Sequence, residues 1–264
     1  MKRAATIFIL VAIAAGAFAG YALAQSFVGT AVADVLKGTD SPDQLYGEDG
    51  DDRIDALGAN DYLEGGPGAD QLDAGPGDDL LIGGTGDDSL TSGGGADVAY
   101  AGAGNDDVLG EDGADVLFGQ SGDDRVFGGG GADRLYTGAG NDFADGGAGR
   151  DWVTGDADSP TEKTTLNGGA GNDRISSTGL GIFVVGGGTG DDRIATGPGP
   201  DQVTGGGGHD RIATGKGNDD IDVADGRRDV VSCGPGADTV KADKLDKLRG
   251  CEKRSRVTVS LRDR

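Results

Sequence analysis

Aspartate recurs along this chain at a fixed interval. Asp43, Asp52, Asp61, Asp70, Asp79, Asp88, Asp97, Asp106, Asp115, Asp124, Asp133, Asp142 and Asp151 lie nine residues apart, thirteen in register. Asp173 follows 22 residues on, then Asp192, Asp201, Asp210 and Asp219 resume the nine-residue step, and Asp229 and Asp238 extend it loosely. Carboxylates can act as acids and bases, form turns, or ligate a hard cation. The preceding residue discriminates. It is Asp51, Asp78, Asp87 or Asp123 in some copies and Asn60, Asn105 or Asn141 in others, with Pro42, Ala69, Ala96 and Arg150 as well. Asn forms a turn as readily as Asp, yet none of the thirteen is Asn. That position requires charge. The other donors nearby are turn carbonyls, and no Cys or His enters these turns before His209. An oxygen-only set suits Ca2+, whose six to eight flexible ligands tolerate carbonyl-rich loops better than Mg2+ does.

The elements that must hold these carboxylates follow from the rest of the period. In Gly65-Gly66-Pro67-Gly68-Ala69-Asp70-Gln71-Leu72-Asp73, numbered one to nine, Asp70 is at position six and Leu72 at position eight. Position eight is apolar in all thirteen copies, and position four is Gly in eleven, Ser41 and Ala59 being the exceptions. Six Gly/Asp-rich residues make a turn, and three residues with an apolar centre make a short strand. So short a strand is stable only by stacking on its neighbours. Two units complete a coil of 18 residues, with strands alternating between two facing parallel sheets. Carboxylates one strand spacing apart, about 5 Å, repel unless a cation lies between them.

The run resembles the RTX, or hemolysin-type, calcium-binding nonapeptide repeat, G-G-x-G-x-D-x-U-x with U apolar, over roughly residues 38–248. The resemblance implies an all-β fold: a parallel β-roll, a right-handed two-sheet solenoid. It also implies Ca2+ held between same-edge turns by position-six Asp and backbone carbonyls. The ligands are then the twenty aspartates named above, and the ions number on the order of ten.

Composition limits the alternatives. Gly contributes 55 of 264 residues, aromatics 5%, and the formal net charge is −23. Few large apolar residues remain for an ordinary core, the charge has the wrong sign for nucleic acid, and the glycines lack the collagen period. No catalytic constellation is legible. His209 is the only histidine, and no G-x-S-x-G elbow occurs, so a non-enzymatic role is expected. Disorder remains the expected state without calcium.

Residues 1–24 read as a secretory signal, with Lys2 and Arg3 before an apolar run and Ala22-Leu23-Ala24 as the cleavage site, before Gln25. This predicts a secreted protein; an uncleaved segment would instead anchor it to a membrane. Familiar RTX exporters lack such a leader. Residues 25–37 form a lead-in, 38–154 a first roll segment, 155–167 an inserted loop, 168–248 a less regular segment and 249–264 a basic cap. The slip near 155–190 places Ile182 at position six, as an apolar patch or a seam. Cys233 and Cys251 are 18 apart. One coil apart in a roll, they fall within disulfide reach, pinning the last coil. The loop and tail leave open a cell-surface or matrix partner, with the roll as a rigid spacer.

Overall fold

The computed structural model describes residues 24–256. Residues 1–23, on which the expected secretory signal falls, and residues 257–264, in the expected basic cap, lie outside the described residues. Every regular element is a β-strand, and the chain divides into two compact units, Met1–Val126 and Phe127–Arg264. In each unit successive strands alternate between two parallel sheets, here sheet I and sheet II, as the nine-residue period requires.

In the first unit, sheet I orders Gln25–Val28, Asp43–Tyr46, Tyr62–Pro67, Leu80–Thr85, Val98–Ala103 and Val116–Ser121. The register is one coil: Leu45 pairs with Leu63, Leu63 with Leu81, and Ala99 with Leu117. Sheet II repeats this from Val35–Lys37 to Asp107–Gly113. Stacking begins before residue 38. Gln25–Val28 and Val35–Lys37 already pair with the strands one coil on, so residues 25–37 are coil rather than a separate lead-in. Their turns lack the glycine at position four that marks the repeat, which hid them.

The core is a ladder of position-eight side chains. Leu45, Ile54, Leu63, Leu81, Leu90 and Leu117 have no exposed surface. Each buried aliphatic rung contributes roughly 2 kcal/mol, against a conformational cost of about 1–2 kcal/mol for every ordered backbone residue. One large apolar side chain per nine residues is a thin return, so stability must draw on the turns. Glycine is sterically required in those turns. Gly84 and Gly86 hold φ of +121° and +125°, and a Cβ on either would strike the carbonyl oxygen of Gly66 or Gly68 in the coil before.

In the second unit, sheet I orders Arg134–Ala139, Trp152–Ala157, Arg174–Gly179, Arg193–Ala195, Arg211–Ala213, Val230–Ser232 and Lys247–Arg249. Sheet II runs from Phe143–Gly149 to Lys253–Arg256. Two expectations need correction here. The insertion is shorter than 155–167: Trp152–Ala157 and Lys163–Gly171 are both strands, and only 158–162 protrude, closed by a Ser159 N–H donating to Glu162 Oε2 at 3.1 Å. The apolar stretch is not a seam, because Ile182–Thr189 pairs on both sides, Leu166 with Val185 and Val185 with Val203. That register also moves the position-six slot from Ile182 to Phe183. Asp173 and Phe183 are ten residues apart and Phe183 and Asp192 nine, so the extra residue lies in the turn before this strand, and a nine-residue count forward from Asp173 arrives one residue early.

Candidate metal sites

The position-six aspartates form stacked ladders along two turn edges, edge I preceding sheet I and edge II preceding sheet II. In the first unit the backbone N–H of each donates to Oδ1 of the aspartate one coil on. Asp43, Asp61, Asp79, Asp97 and Asp115 are linked this way on edge I, and Asp34, Asp52, Asp70, Asp88, Asp106 and Asp124 on edge II, at 2.6–2.9 Å. Their backbone carbonyls accept from the following strands, as in Gln71 N–H to Asp52 O at 2.8 Å. The N–H, the carbonyl and Oδ1 are therefore satisfied, and the aspartates are nearly or fully buried apart from Asp34.

Oδ2 is different. On Asp52, Asp61, Asp70, Asp79, Asp88, Asp97 and Asp106 it is buried without a hydrogen-bond partner. The second unit repeats this on Asp151, Asp173, Asp192, Asp210, Asp229 and Asp238. A buried oxygen left unpaired costs about 1–3 kcal/mol, more when charged, so a repeated orphan calls for a partner outside the chain. Three of the ladder ends lack this feature. Asp34 Oδ2 accepts from Thr30 N and Oγ1 at 2.6 and 2.8 Å. Asp43 Oδ2 accepts from Thr39 N and Oγ1 at 2.6 and 2.9 Å. Asp246 Oδ2 accepts from Asp243 N at 2.8 Å. These ends are closed by the chain itself, and the interior rungs are not.

Carbonyl oxygens converge on the same spaces. A Cβ built on Gly128 would lie 2.6 Å from Asp133 Oδ2 and 2.5 Å from Gly146 O, and one on Gly38 would lie 2.9 Å from Asp43 Oδ2 and 2.5 Å from Ala56 O. Carboxylate and carbonyl thus share a cradle beside glycine, filled by Thr39 at Asp43 and left open at orphaned Asp88, where a Cβ on Gly83 would lie 2.6 Å from Oδ2 and also meet Ala101 O. No cluster of three or more His, Cys, Asp or Glu side chains occurs among the described residues. An ion here would therefore complete its shell with carbonyls, which suits Ca2+. Burial pushes these carboxyls up in the metal-free chain: Asp79 and Asp88 to about 7, Asp52 and Asp61 to about 6, and in the second unit Asp151, Asp192 and Asp229 to about 7. A cation between rungs would oppose that shift.

The ladder tolerates the irregular spacing. In the second unit, edge I links Asp133, Asp151, Asp173, Asp192, Asp210, Asp229 and Asp246 at 2.8–3.0 Å, although successive members are 17 to 22 residues apart. Edge II is broken. Strand register aligns Thr164 with Asp142 and Phe183 with Asp201; the ladder resumes with Asp201, Asp219 and Asp238. Asp34 and Asp246 are rungs not named among the sequence candidates, although Asp34 lies nine residues before Asp43, in register; Asp246 follows Asp238 by eight.

Position five forms a second, exposed ladder of opposite polarity. The N–H of Ala69, Asp78, Ala96, Asn105 and Asp123 donates to Oδ1 of the Asp or Asn one coil before, at 2.8–3.1 Å. Asn and Asp use the same oxygen, so they interchange there. His209 belongs to this row: its N–H donates to Asp191 Oδ1 and its ring Nδ1 lies 3.2 Å from Arg228 O. Cys233 and Cys251 form a disulfide with a Cα–Cα distance of 5.2 Å. Closing a loop of this size contributes about 3 kcal/mol.

No curated protein matches the chain. A family model described as the RTX calcium-binding nonapeptide repeat, in four copies, matches residues 28–63, 56–90, 64–99, 73–108, 100–135, 127–161, 164–179 and 186–221. The matched stretches span most of the chain and cover the turns of the orphaned carboxylates named above except Asp229 and Asp238, and with that coverage the chain belongs to the RTX calcium-binding nonapeptide repeat family.

Proposed function

We propose that this chain is a secreted, non-catalytic calcium-binding module whose fold depends on the ions it holds. The observation that carries the reading is the row of buried, unpartnered Oδ2 atoms facing glycine cradles. Bound Ca2+ supplies positive charge between stacked carboxylates. The chain's own part is to present Oδ2 and carbonyl oxygens at fixed stacking, with Oδ1 committed to the neighbouring coil. Without the ion, burial of so many carboxylates outweighs a core of one aliphatic residue per repeat. Where calcium is scarce the chain stays unfolded, and where it is plentiful the roll forms. Export through the leader at residues 1–24 would separate those two conditions.

Circular dichroism of the chain titrated with Ca2+ tests this. A coil-like spectrum in chelator should become β-rich on adding calcium and revert on chelation. A strong β spectrum in excess chelator at neutral pH would refute calcium-driven folding.

A further inference from the structure

The outer face of sheet I in the second unit carries a row of arginines that calcium binding does not use. Position seven of successive strands places Arg134 beside Trp152, Trp152 beside Arg174, Arg174 beside Arg193, and Arg193 beside Arg211. All four arginines are exposed, and the indole is 41% exposed. The Arg174 guanidinium sits 5.3 Å from the Trp152 ring centroid. The parallel row at position nine is neutral: Thr154, Ser176, Ala195 and Ala213. In a chain with 46 acidic residues, these two rows contain no carboxylate from Arg134 to Ala213. Arg150 and Asn172 border the row at the turn edge and, with Arg134, Trp152, Arg174 and Arg193, line an open groove of about 240 Å³. Asp133, Asp151 and Asp173 also line it but are buried.

Apart from the Arg174 contact with Trp152, the row has no internal partner among the described residues, and none of opposite charge. The ion pairs among the described residues are Lys37–Asp55, Arg125–Asp107 and Lys241–Asp222, and none involves these arginines. Arg174, Arg193 and Arg211 are direct cross-strand neighbours of like charge, an arrangement that destabilises a sheet. Neutral residues are accommodated at position seven, since Gln44, Gln71 and Gln202 occupy it in other coils. A cost retained where a neutral alternative fits points to an anionic ligand.

We propose that this face binds a linear acidic polysaccharide with one carboxylate per sugar ring. From Arg134 to Arg211 the row spans four strand intervals, about 19 Å, straight along the stacking direction, with neighbours about 4.8 Å apart. That interval is close to the length of one pyranose ring in an extended polyuronate. Each guanidinium offers a planar fork matched to a carboxylate. Trp152, steadied by Arg174, presents an aromatic face for the C–H side of a ring. A nucleic acid duplex fits less well, because its charges, one per about 1.7 Å of axis, are far denser than guanidinium groups spaced about 4.8 Å apart.

The test is calorimetric titration of the full chain with a short galacturonate oligosaccharide, at a calcium concentration where circular dichroism shows the roll formed. Binding should occur and weaken with added salt. Arg174→Gln/Arg193→Gln should lose at least about tenfold in affinity and Trp152→Ala about fivefold, with spectra unchanged. Arg53→Gln, on sheet II of the first unit, should stay within about twofold. A folded chain that ignores the oligosaccharide, or a double variant that binds like the parent, overturns the proposal. Tighter binding of single-stranded DNA than of the oligosaccharide overturns the choice of polysaccharide. Because the folded state is verified first, failure here is distinct from failure of calcium-driven folding.

Discussion

In the first unit both turn edges carry an unbroken aspartate ladder, whereas in the second unit only edge I does. On edge II of the second unit, Thr164 and Phe183 occupy two consecutive slots that Asp fills elsewhere, yet strand pairing passes through them without interruption. Phe183 is fully buried. A Cβ added to Gly155 would lie 3.1 Å from its ring and 3.0 Å from Leu166. The backbone path of a coil therefore does not need a carboxylate at position six: a buried ring serves at Phe183, and at Thr164 a hydroxyl donating to Gly140 O at 3.1 Å. The units also differ outside. The sheet I face of the first unit is largely apolar and aromatic, with Tyr100 stacked on Phe118 at 4.8 Å, and that of the second is cationic.

Calcium removal should separate the units most sharply. The first unit has no internal substitute for its ions, while the second has Phe183 and the Cys233–Cys251 bridge. Limited proteolysis as calcium is lowered stepwise should destroy residues 25–126 first and leave a longer-lived fragment containing 164–251 at intermediate calcium, identifiable by mass. Simultaneous digestion of both would show that Phe183 and the disulfide do not replace calcium. Next in size is Phe183→Ala. It should cost about 3–5 kcal/mol in denaturant unfolding of the calcium-loaded chain, without changing the number of ions bound. A fall in ion count would mean that Phe183 supports a metal site rather than replacing one.

A position-six change in the first unit should do the reverse. Asp97→Asn alters a rung hydrogen-bonded to both Asp79 and Asp115. It should lower calcium stoichiometry by about two ions and cost roughly 1–3 kcal/mol. Asp78→Asn, at the exposed fifth position, should be near neutral, because Asn60 and Asn105 already serve there. Equal effects of the two changes on stoichiometry would break the distinction between the ladders.

Much of this was legible in the sequence, because a strict period converts directly into geometry. Position eight predicted the core ladder, position six the stacking of carboxylates though not their burial, and the 18-residue cysteine spacing the bridge. What escaped lay where the period fails. Asp151 and Asp173 are 22 residues apart in sequence, yet they stack as adjacent rungs at 2.8 Å; the 158–162 excursion absorbs the extra length, which no count of residues reveals. Phe183 was missed for the same reason, by one residue. The arginine row was hidden differently. Its members are 18 to 22 residues apart along the chain and become a surface only when the coils stack.

Acid should act on the calcium-free chain in the direction set by burial. The carboxyls of Asp79, Asp88, Asp151, Asp192 and Asp229 rise to about 7 in the fold, against 3.8 in an unperturbed side chain. The fold then binds these protons more tightly than the unfolded chain does. The resulting stability is fully present below about 4 and is lost as pH rises through about 7. In chelator, β content should increase as pH falls from 8 to 4, values spanning that window. With calcium present the trend reverses, since protons compete with the ion. No gain of β structure in acid would show that carboxylate charge is not what opposes the metal-free fold.

The smallest effect compares two turns within the first unit. Ala59 stands at position four with φ of +90°, where Gly86 in another coil has +125°. A left-handed conformation costs a side-chain-bearing residue about 1–2 kcal/mol, and glycine's larger entropy loss recovers about half of that. Ala59→Gly should therefore stabilise the calcium-loaded chain by about 0.5–1 kcal/mol, read as a shift in denaturation midpoint with an unchanged slope. Gly86→Ala should move the midpoint the other way and further, because its Cβ would also meet the Gly68 carbonyl oxygen. If both changes shifted the midpoint alike, glycine at position four would matter for the unfolded chain's entropy and not for the close stacking of coils.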